Sequence, residues 1–290
     1  MEAVHNINPF AKRESRSNVS ILTYKVLTII SWLLTVVSTL YYLSNKPHDD
    51  KYHGRTIWGQ NKHYDTPFAL DKVIVSLYWL VLWVLQVGYV WHLFSSNSDY
   101  VQAAASVGSH FIVNNLLQFG FVMLWVRERF WLGELLLVIN FLNLNTLYLR
   151  HSTHPRAIHI PVVSGPLAWT FVAIFWDGAA MVNAHSLAAR ILANVFIWTW
   201  LLEGVYFLAV FKDYTVGFEL SILTAALGVR QFGTKVIAFQ WIFAFSIMAA
   251  LFVFTLGVAY PELTGKEWSL RGSKNIVNED RERAPLLDDH

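Results

Sequence analysis

Two hydrophobic runs between Ser106 and Arg150, joined by the short charged link Arg127-Glu128-Arg129-Phe130, constrain the fold of this chain more than any other stretch. Each run is about 20 residues long, enough at 1.5 Å per residue to cross a ~30 Å hydrocarbon layer as a helix. Both carry side chains that lipid rejects. His110, Asn114 and Gln118 recur every four residues and stack in one stripe on the first helix. The second helix adds Glu134, Asn140, Asn143 and Asn145, with Glu134 and Asn145 nearly on one meridian. An acidic group at mid-membrane costs about 2.5–3.5 kcal/mol on insertion scales, so this hairpin is expected to be wrapped by other helices.

Composition agrees. The 290 residues are 55% hydrophobic and 14% charged, with a mean hydropathy of +0.40. A soluble domain of this size is about 25% charged, so the apolar surplus points to a lipid solvent. Aromatic residues make up 16% of the chain, many near the ends of hydrophobic runs where amphipathic rings favour the headgroup layer. The absence of cysteine excludes disulfides, thiolate metal sites, thiol nucleophiles and palmitoylation. Residues 1–20 are polar with no apolar core before a small-residue cleavage site, so no removable signal peptide is expected.

Runs of about 18 or more mostly apolar residues give eight expected spans. They are Ile21–Leu43, Val73–Phe94, Ala103–Val126, Phe130–Leu149, Pro166–Val182, Leu187–Phe211, Tyr214–Val229 and Lys235–Tyr260. The fifth and seventh are short and contain Asp177 and Glu219, so seven spans is the alternative. The expected fold is an all-α polytopic bundle over 21–260, between a polar tail (1–20) and a polar tail (261–290) read as disordered. Eight spans put both tails on one side, with 12 of the 22 Lys and Arg residues on that side and 10 on the other. That difference favours cytosolic tails.

The one long connection, Ser44 to Asp71, contains His48, Asp49, Asp50, His53, His63 and Asp65. It lacks a paired-histidine helix motif, so it is read as a solvated polar loop in preference to a metal site. His151, His154 and His159 fall on the opposite face under eight spans and cannot share an ion with it. Trp83-x2-Gln86-x2-Tyr89 recurs as Trp200-x2-Glu203-x2-Tyr206, a faint echo of the kind that duplication leaves in transporters.

The buried amides, Asn114, Asn115, Gln118, Asn140, Asn143, Asn145, Asn194 and Gln240, are read as interhelical bonds worth about 0.6–2 kcal/mol each. The acids Glu134, Asp177, Glu203 and Glu219 mark either a polar cavity or structural ion pairs with His110, Arg190 or Arg230. The candidate intramembrane polar site is therefore His110, Asn114, Gln118, Glu134, Asp177 and Glu203, with Trp176 and Trp200 as walls. No nucleophile elbow, zinc-helix motif or phosphate-cradling glycine loop occurs. A non-enzymatic protein without cofactor or metal is expected, and no nucleic-acid partner.

Four resemblances add to this. Glu282 followed by Leu286-Leu287 resembles the acidic dileucine signal that clathrin adaptor complexes read, and Asn8-Pro9-Phe10 resembles the tripeptide bound by EH domains. From Asn8 through Asp65-Thr-Pro-Phe-Ala to Trp91, and across Ser109 to His151, the chain is similar to an uncharacterised family of fungal multi-pass membrane proteins, a resemblance that implies no activity. Thr66-Pro67, together with Ser164, Trp169 and Ala173, resembles the longer relatives of the tryptophan-rich sensory or translocator family. That likeness implies helical bundles binding porphyrins or sterols in a Trp-lined pocket.

Two functions follow as expectations. One is an endomembrane scaffold or adaptor subunit, in the vacuole or the Golgi and endosomes, that binds membrane-protein partners and is sorted by its tail. The other is a small-molecule binder or transporter with an intrabundle cavity coordinated by His110, Asp177 and Glu203.

Overall fold

A computed structural model of the chain describes residues 18–49, 54–150, 156–234 and 239–264. Among the described residues there are nine helices and no strand. They are α1 (Asn18–Ser44), α2 (Ile57–His63), α3 (Lys72–His92), α4 (Ser98–Trp125), α5 (Phe130–Arg150), α6 (Arg156–Met181), α7 (Leu187–Phe211), α8 (Tyr214–Thr234) and α9 (Gln240–Thr264). The motif residues Asn8-Pro9-Phe10, Glu282, Leu286 and Leu287, and also His53, His151 and His154, lie outside the described residues.

Seven helices, all except α2 and α8, are long and apolar enough to cross a membrane, which makes this an integral membrane architecture. The expected seventh span, Tyr214–Val229, forms α8, a 21-residue helix that carries Glu219 and Arg230 and is not among those seven. Protein covers most of it: Leu220, Leu223, Ala226 and Leu227 have no exposed surface, while Ile222, Val229 and Phe232 are exposed along one side. A helix sheltered in this way is free of the lipid-like composition that outer spans need. The expected fifth span, Pro166–Val182, starts ten residues earlier than the sequence suggested, because Ile160–Ser164 continues the helix as a π turn. Pro161 sits in the first turn of that segment, where a missing N–H is least costly.

The core lies on α6, the most enclosed of the seven, and next on α4. The hairpin α4–α5 is only half wrapped. Trp131, Leu135, Ile139 and Leu142 of α5 are exposed, while its amides turn inward. Asn140 Nδ2 donates to Asn114 Oδ1 at 2.9 Å and to Thr170 Oγ1 at 3.3 Å, joining α5 to α4 and α6. His110 Nδ1 and Asn143 Oδ1 are 2.8 Å apart, and Asn143 Nδ2 donates to the His110 carbonyl at 3.1 Å. These polar groups satisfy one another inside the bundle, as the amide-glue reading expects.

The long connection corrects its reading as a solvated loop. Apolar Ile57, Phe68, Ala69 and Leu70 are buried, and they draw the segment against one end of the bundle. Thr56 caps α2 by accepting from Gly59 N at 3.0 Å, and Asp71 caps α3 by accepting from Val73 N and Ile74 N. Gln60 Nε2 donates to the Trp125 carbonyl at 3.3 Å, and Trp125 Nε1 donates to the Ile57 carbonyl at 3.1 Å. Asp65 pairs with Arg230 at 2.7 Å and with Arg190 at 3.6 Å, while Gln231 Nε2 donates to the Thr66 carbonyl at 3.0 Å. The segment is a lid pinned to the ends of α4, α7 and α8.

Candidate functional site

Directly beneath this lid α1, α3, α4 and α6 part around a cavity with an empty volume of about 580 Å³, its open side included. Its walls are indoles: Trp58 from α2, Trp79 and Trp83 from α3, Trp125 from α4, and Trp169 and Trp176 from α6. Spacings of four and seven residues put each helix's pair on one face. The rings touch one another. Trp125 and Trp176 have centroids 4.0 Å apart, Trp169 and Trp176 5.8 Å, Trp79 and Trp169 5.5 Å at 78°, and Trp58 and Trp176 6.0 Å. Such offset and edge-on contacts hold the walls rigid.

The lining contains no charged side chain. Its polar groups are Thr35, Thr39, Ser76 and Gln118, all neutral. Thr35 Oγ1 is engaged with the Asn115 carbonyl at 2.7 Å. The Gln118 side chain lines the cavity with no hydrogen-bond partner among the described residues, and the fully buried Trp169 Nε1 has none either. The other inner indoles are occupied, Trp125 with the Ile57 carbonyl and Trp176 with Asn61 Oδ1 at 2.8 Å. Apolar walls and a few neutral polar groups suit the binding of an apolar group.

The candidate polar residues do not converge on this space. Gln118 alone faces it, while His110 and Asn114 belong to the amide network between α4 and α5. Asp177 and Glu134 sit behind the indole wall in a reciprocal arrangement. A Cβ on Gly133 would lie 3.2 Å from Asp177 Oδ1, and one on Gly178 would lie 3.5 Å from Glu134 Oε1. Glu203 is half-buried on α7, beside exposed Leu202 and Tyr206, with no hydrogen-bond partner among the described residues. Trp200 packs on Phe68 and Phe175, away from the cavity. Sequence reasoning missed Trp58, Trp79 and Trp125; the four-residue spacing of Trp79 and Trp83 was the available signal.

A second polar cluster closes the opposite end of the bundle. Asp213 Oδ2 accepts from Tyr148 Oη at 2.8 Å and lies 2.8 Å from His159 Nε2, while Asp213 Oδ1 caps α8 by accepting from Thr215 N at 2.9 Å. Burial pushes the Asp213 carboxyl up, but the electrostatic pull of His159 and the bonds from His159, Thr215 and Tyr148 outweigh it and hold the group at about 2. Two π turns bracket the pair: Ile160–Ser164 follows His159, and Phe207–Phe211 precedes Asp213. Ser164 Oγ donates to Glu219 Oε1 at 3.0 Å, tying the first π turn to α8. Among the described residues no group of three or more His, Asp or Glu side chains is placed to hold a metal ion.

Residues 190–287, about a third of the chain, match the model of a family described as "Fungal protein of unknown function (DUF1774)". The match falls on α7, α8, α9 and the residues beyond, whereas the resemblance read from the sequence lay on the first half. None of the cavity residues is within it. No curated protein and no solved structure matches the chain.

Proposed function

We propose that this integral membrane protein binds an apolar small molecule in the tryptophan-lined cavity and performs no chemistry on it. The observation that carries the reading is an enclosure of six indoles without a single charged side chain. Burial of a ligand against such walls contributes about 25 cal/mol per Å² of apolar surface removed from water. A buried charge has no partner here, so the ligand is neutral where it contacts the walls.

The reading is tested by thermal unfolding of the purified protein against a panel of apolar ligands, since a molecule that binds only the native state stabilises it. Trp169→Ala removes one wall and the unpartnered Nε1 and should weaken binding about tenfold or more, the loss of ~1.5–3 kcal/mol of apolar contact. Equal stabilisation of wild type and Trp169→Ala by every ligand tried would defeat it.

A second reading is that of a membrane adaptor. Asn114, Asn140 and Asn143 bond within the chain, so its support rests on Glu203, an unpartnered acid beside the exposed side chains of α7, and on the Glu282, Leu286, Leu287 motif. A partner helix with a basic or amide side chain would neutralise Glu203, and the motif would direct the pair to the vacuole or the Golgi and endosomes. Glu203→Leu should release co-purifying membrane proteins, and Leu286→Ala with Leu287→Ala should relocate the protein. Retention of both partners and location would sink this reading.

A further inference from the structure

The cavity has one closed end and one open flank. At the closed end α2 lies across it, held by the Trp125–Ile57 and Trp176–Asn61 hydrogen bonds and by the ion pair of Arg55 with Glu128. The inner wall is shut as well: Phe121, Trp125, Trp169 and Trp176 are all buried. The half-buried lining residues are Thr39 and Leu43 on α1, Ser76 and Trp79 on α3, and Trp58 on α2, so the open flank is the gap between the two outer helices, with Trp58 at its lid end. Its rims, Leu40 on one side and Leu77 and Leu80 on the other, are exposed and apolar. Farther from the lid Trp32 Nε1 donates to Gln86 Oε1 at 2.9 Å, and Gln86 Nε2 donates to the Pro161 carbonyl at 3.1 Å. These bonds tie α1, α3 and the π turn of α6 together below the cavity and give the opening a fixed floor.

Inside, the Gln118 amide, without a hydrogen-bond partner among the described residues, offers both a donor and an acceptor, and the unpartnered Trp169 Nε1 offers a donor. Together they suit one hydroxyl or carbonyl group, and the absence of any cation in the lining disfavours a phosphate or carboxylate head. We infer that the cavity is loaded sideways from the bilayer, through the gap between α1 and α3, by an uncharged lipid whose single hydrogen-bonding group docks on Gln118. This rests on the binding function proposed above and adds the route and the head-group chemistry. Water-soluble ligands would have to lift the lid; a bilayer lipid already lies at the open flank.

The chain has no cysteine, so engineered pairs can be bridged without background reaction. The full-length protein is reconstituted in phosphatidylcholine vesicles containing a diazirine-bearing long-chain alcohol, with the matching long-chain carboxylic acid as comparator. Labelling is mapped by peptide mass spectrometry. Bridging Thr39→Cys to Ser76→Cys across the opening with a bis-maleimide should abolish labelling of cavity peptides by the alcohol. Bridging Arg55→Cys to Glu128→Cys, which locks the lid, should leave labelling unchanged. Gln118→Leu should lower labelling by the alcohol about tenfold, the loss of one buried hydrogen-bonded head. The acid should label the cavity far less than the alcohol.

Loss of labelling on locking the lid and its persistence on bridging the opening would overturn the sideways route while leaving the binding function intact. Preference for the acid, or indifference to Gln118→Leu, would overturn the head-group assignment. Absence of cavity labelling in the unbridged protein would overturn the binding function itself. Bridged and unbridged samples are compared by size-exclusion elution, and Gln118→Asn, which keeps the amide, checks that the Leu substitution acts through the lost group.

Discussion

Trp176 donates its indole N–H to Asn61 Oδ1 across 2.8 Å, so the innermost wall of the cavity and the lid above it are one hydrogen-bonded unit. The same oxygen accepts from Leu70 N at 3.0 Å, and Asn61 Nδ2 donates to the Leu70 carbonyl at 2.9 Å. One buried amide therefore fixes the lid's helix, the strap that follows it and the central indole.

Asn61→Ala strands two N–H groups and a carbonyl in a buried place, and each orphaned group costs about 1–3 kcal/mol. Thermal unfolding monitored by fluorescence-detected size exclusion should show a clear loss of stability. Asn61→Asp keeps the acceptor for Trp176 and should retain more of the stability. Equal loss in both variants would show that the Trp176 bond contributes little.

Asp177 and Glu134 stand outside the cavity, so exchanging Asp177 for Asn should leave ligand binding intact. Gly133→Ala presses a methyl to 3.2 Å from Asp177 Oδ1 and should cost about 1–3 kcal/mol as overpacking. Combining it with Asp177→Ala, which removes the carboxyl it meets, should recover part of that cost in a double-mutant cycle. Loss of ligand binding in folded Asp177→Asn would instead place the acid in the site.

Asp213 gives the protein an acid-sensitive joint. Its carboxyl is held at about 2 when folded, below the unfolded value of about 3.9, so its contribution is complete above pH ~4 and is lost as pH falls through about 2. Asp213→Asn keeps an N-cap for α8 but loses the charge facing His159. The variant should be less stable than wild type at pH 7, and the gap should narrow between pH 4 and pH 2. A constant gap across that window would separate the cap from the ion pair.

Periodicity and apolar length made the helical bundle legible, because an outer span must satisfy its backbone internally and present apolar groups to lipid. The α8 helix shows where that reasoning stops: protein shelters it, so its Glu219 and Arg230 carry no penalty that sequence can weigh. The amide-glue reading holds for Asn140, which bonds Asn114 and Thr170, but not for Asn145, which bonds the Phe141 carbonyl of its own helix, or for Gln240, whose side chain has no partner among the described residues. The cavity was not legible in the same way. Carboxylates drew attention because charge in lipid is conspicuous, whereas the space is bounded by indoles that four separate helices bring together, and aromatic residues are common everywhere in this chain. Gln118 shows the difference: its stripe-mates His110 and Asn114 meet α5, and one more helical turn carries it past that contact to face the cavity.

Native mass spectrometry of the wild-type protein, released from mild detergent after purification from its own membranes, tests the central claim most directly. The account expects a population carrying one neutral lipid per chain, which falls sharply in Trp169→Ala and Gln118→Leu while both variants keep the elution profile of the folded protein. A chain that emerges empty under every mild condition, or one whose bound lipid is equally abundant in those variants, would contradict it.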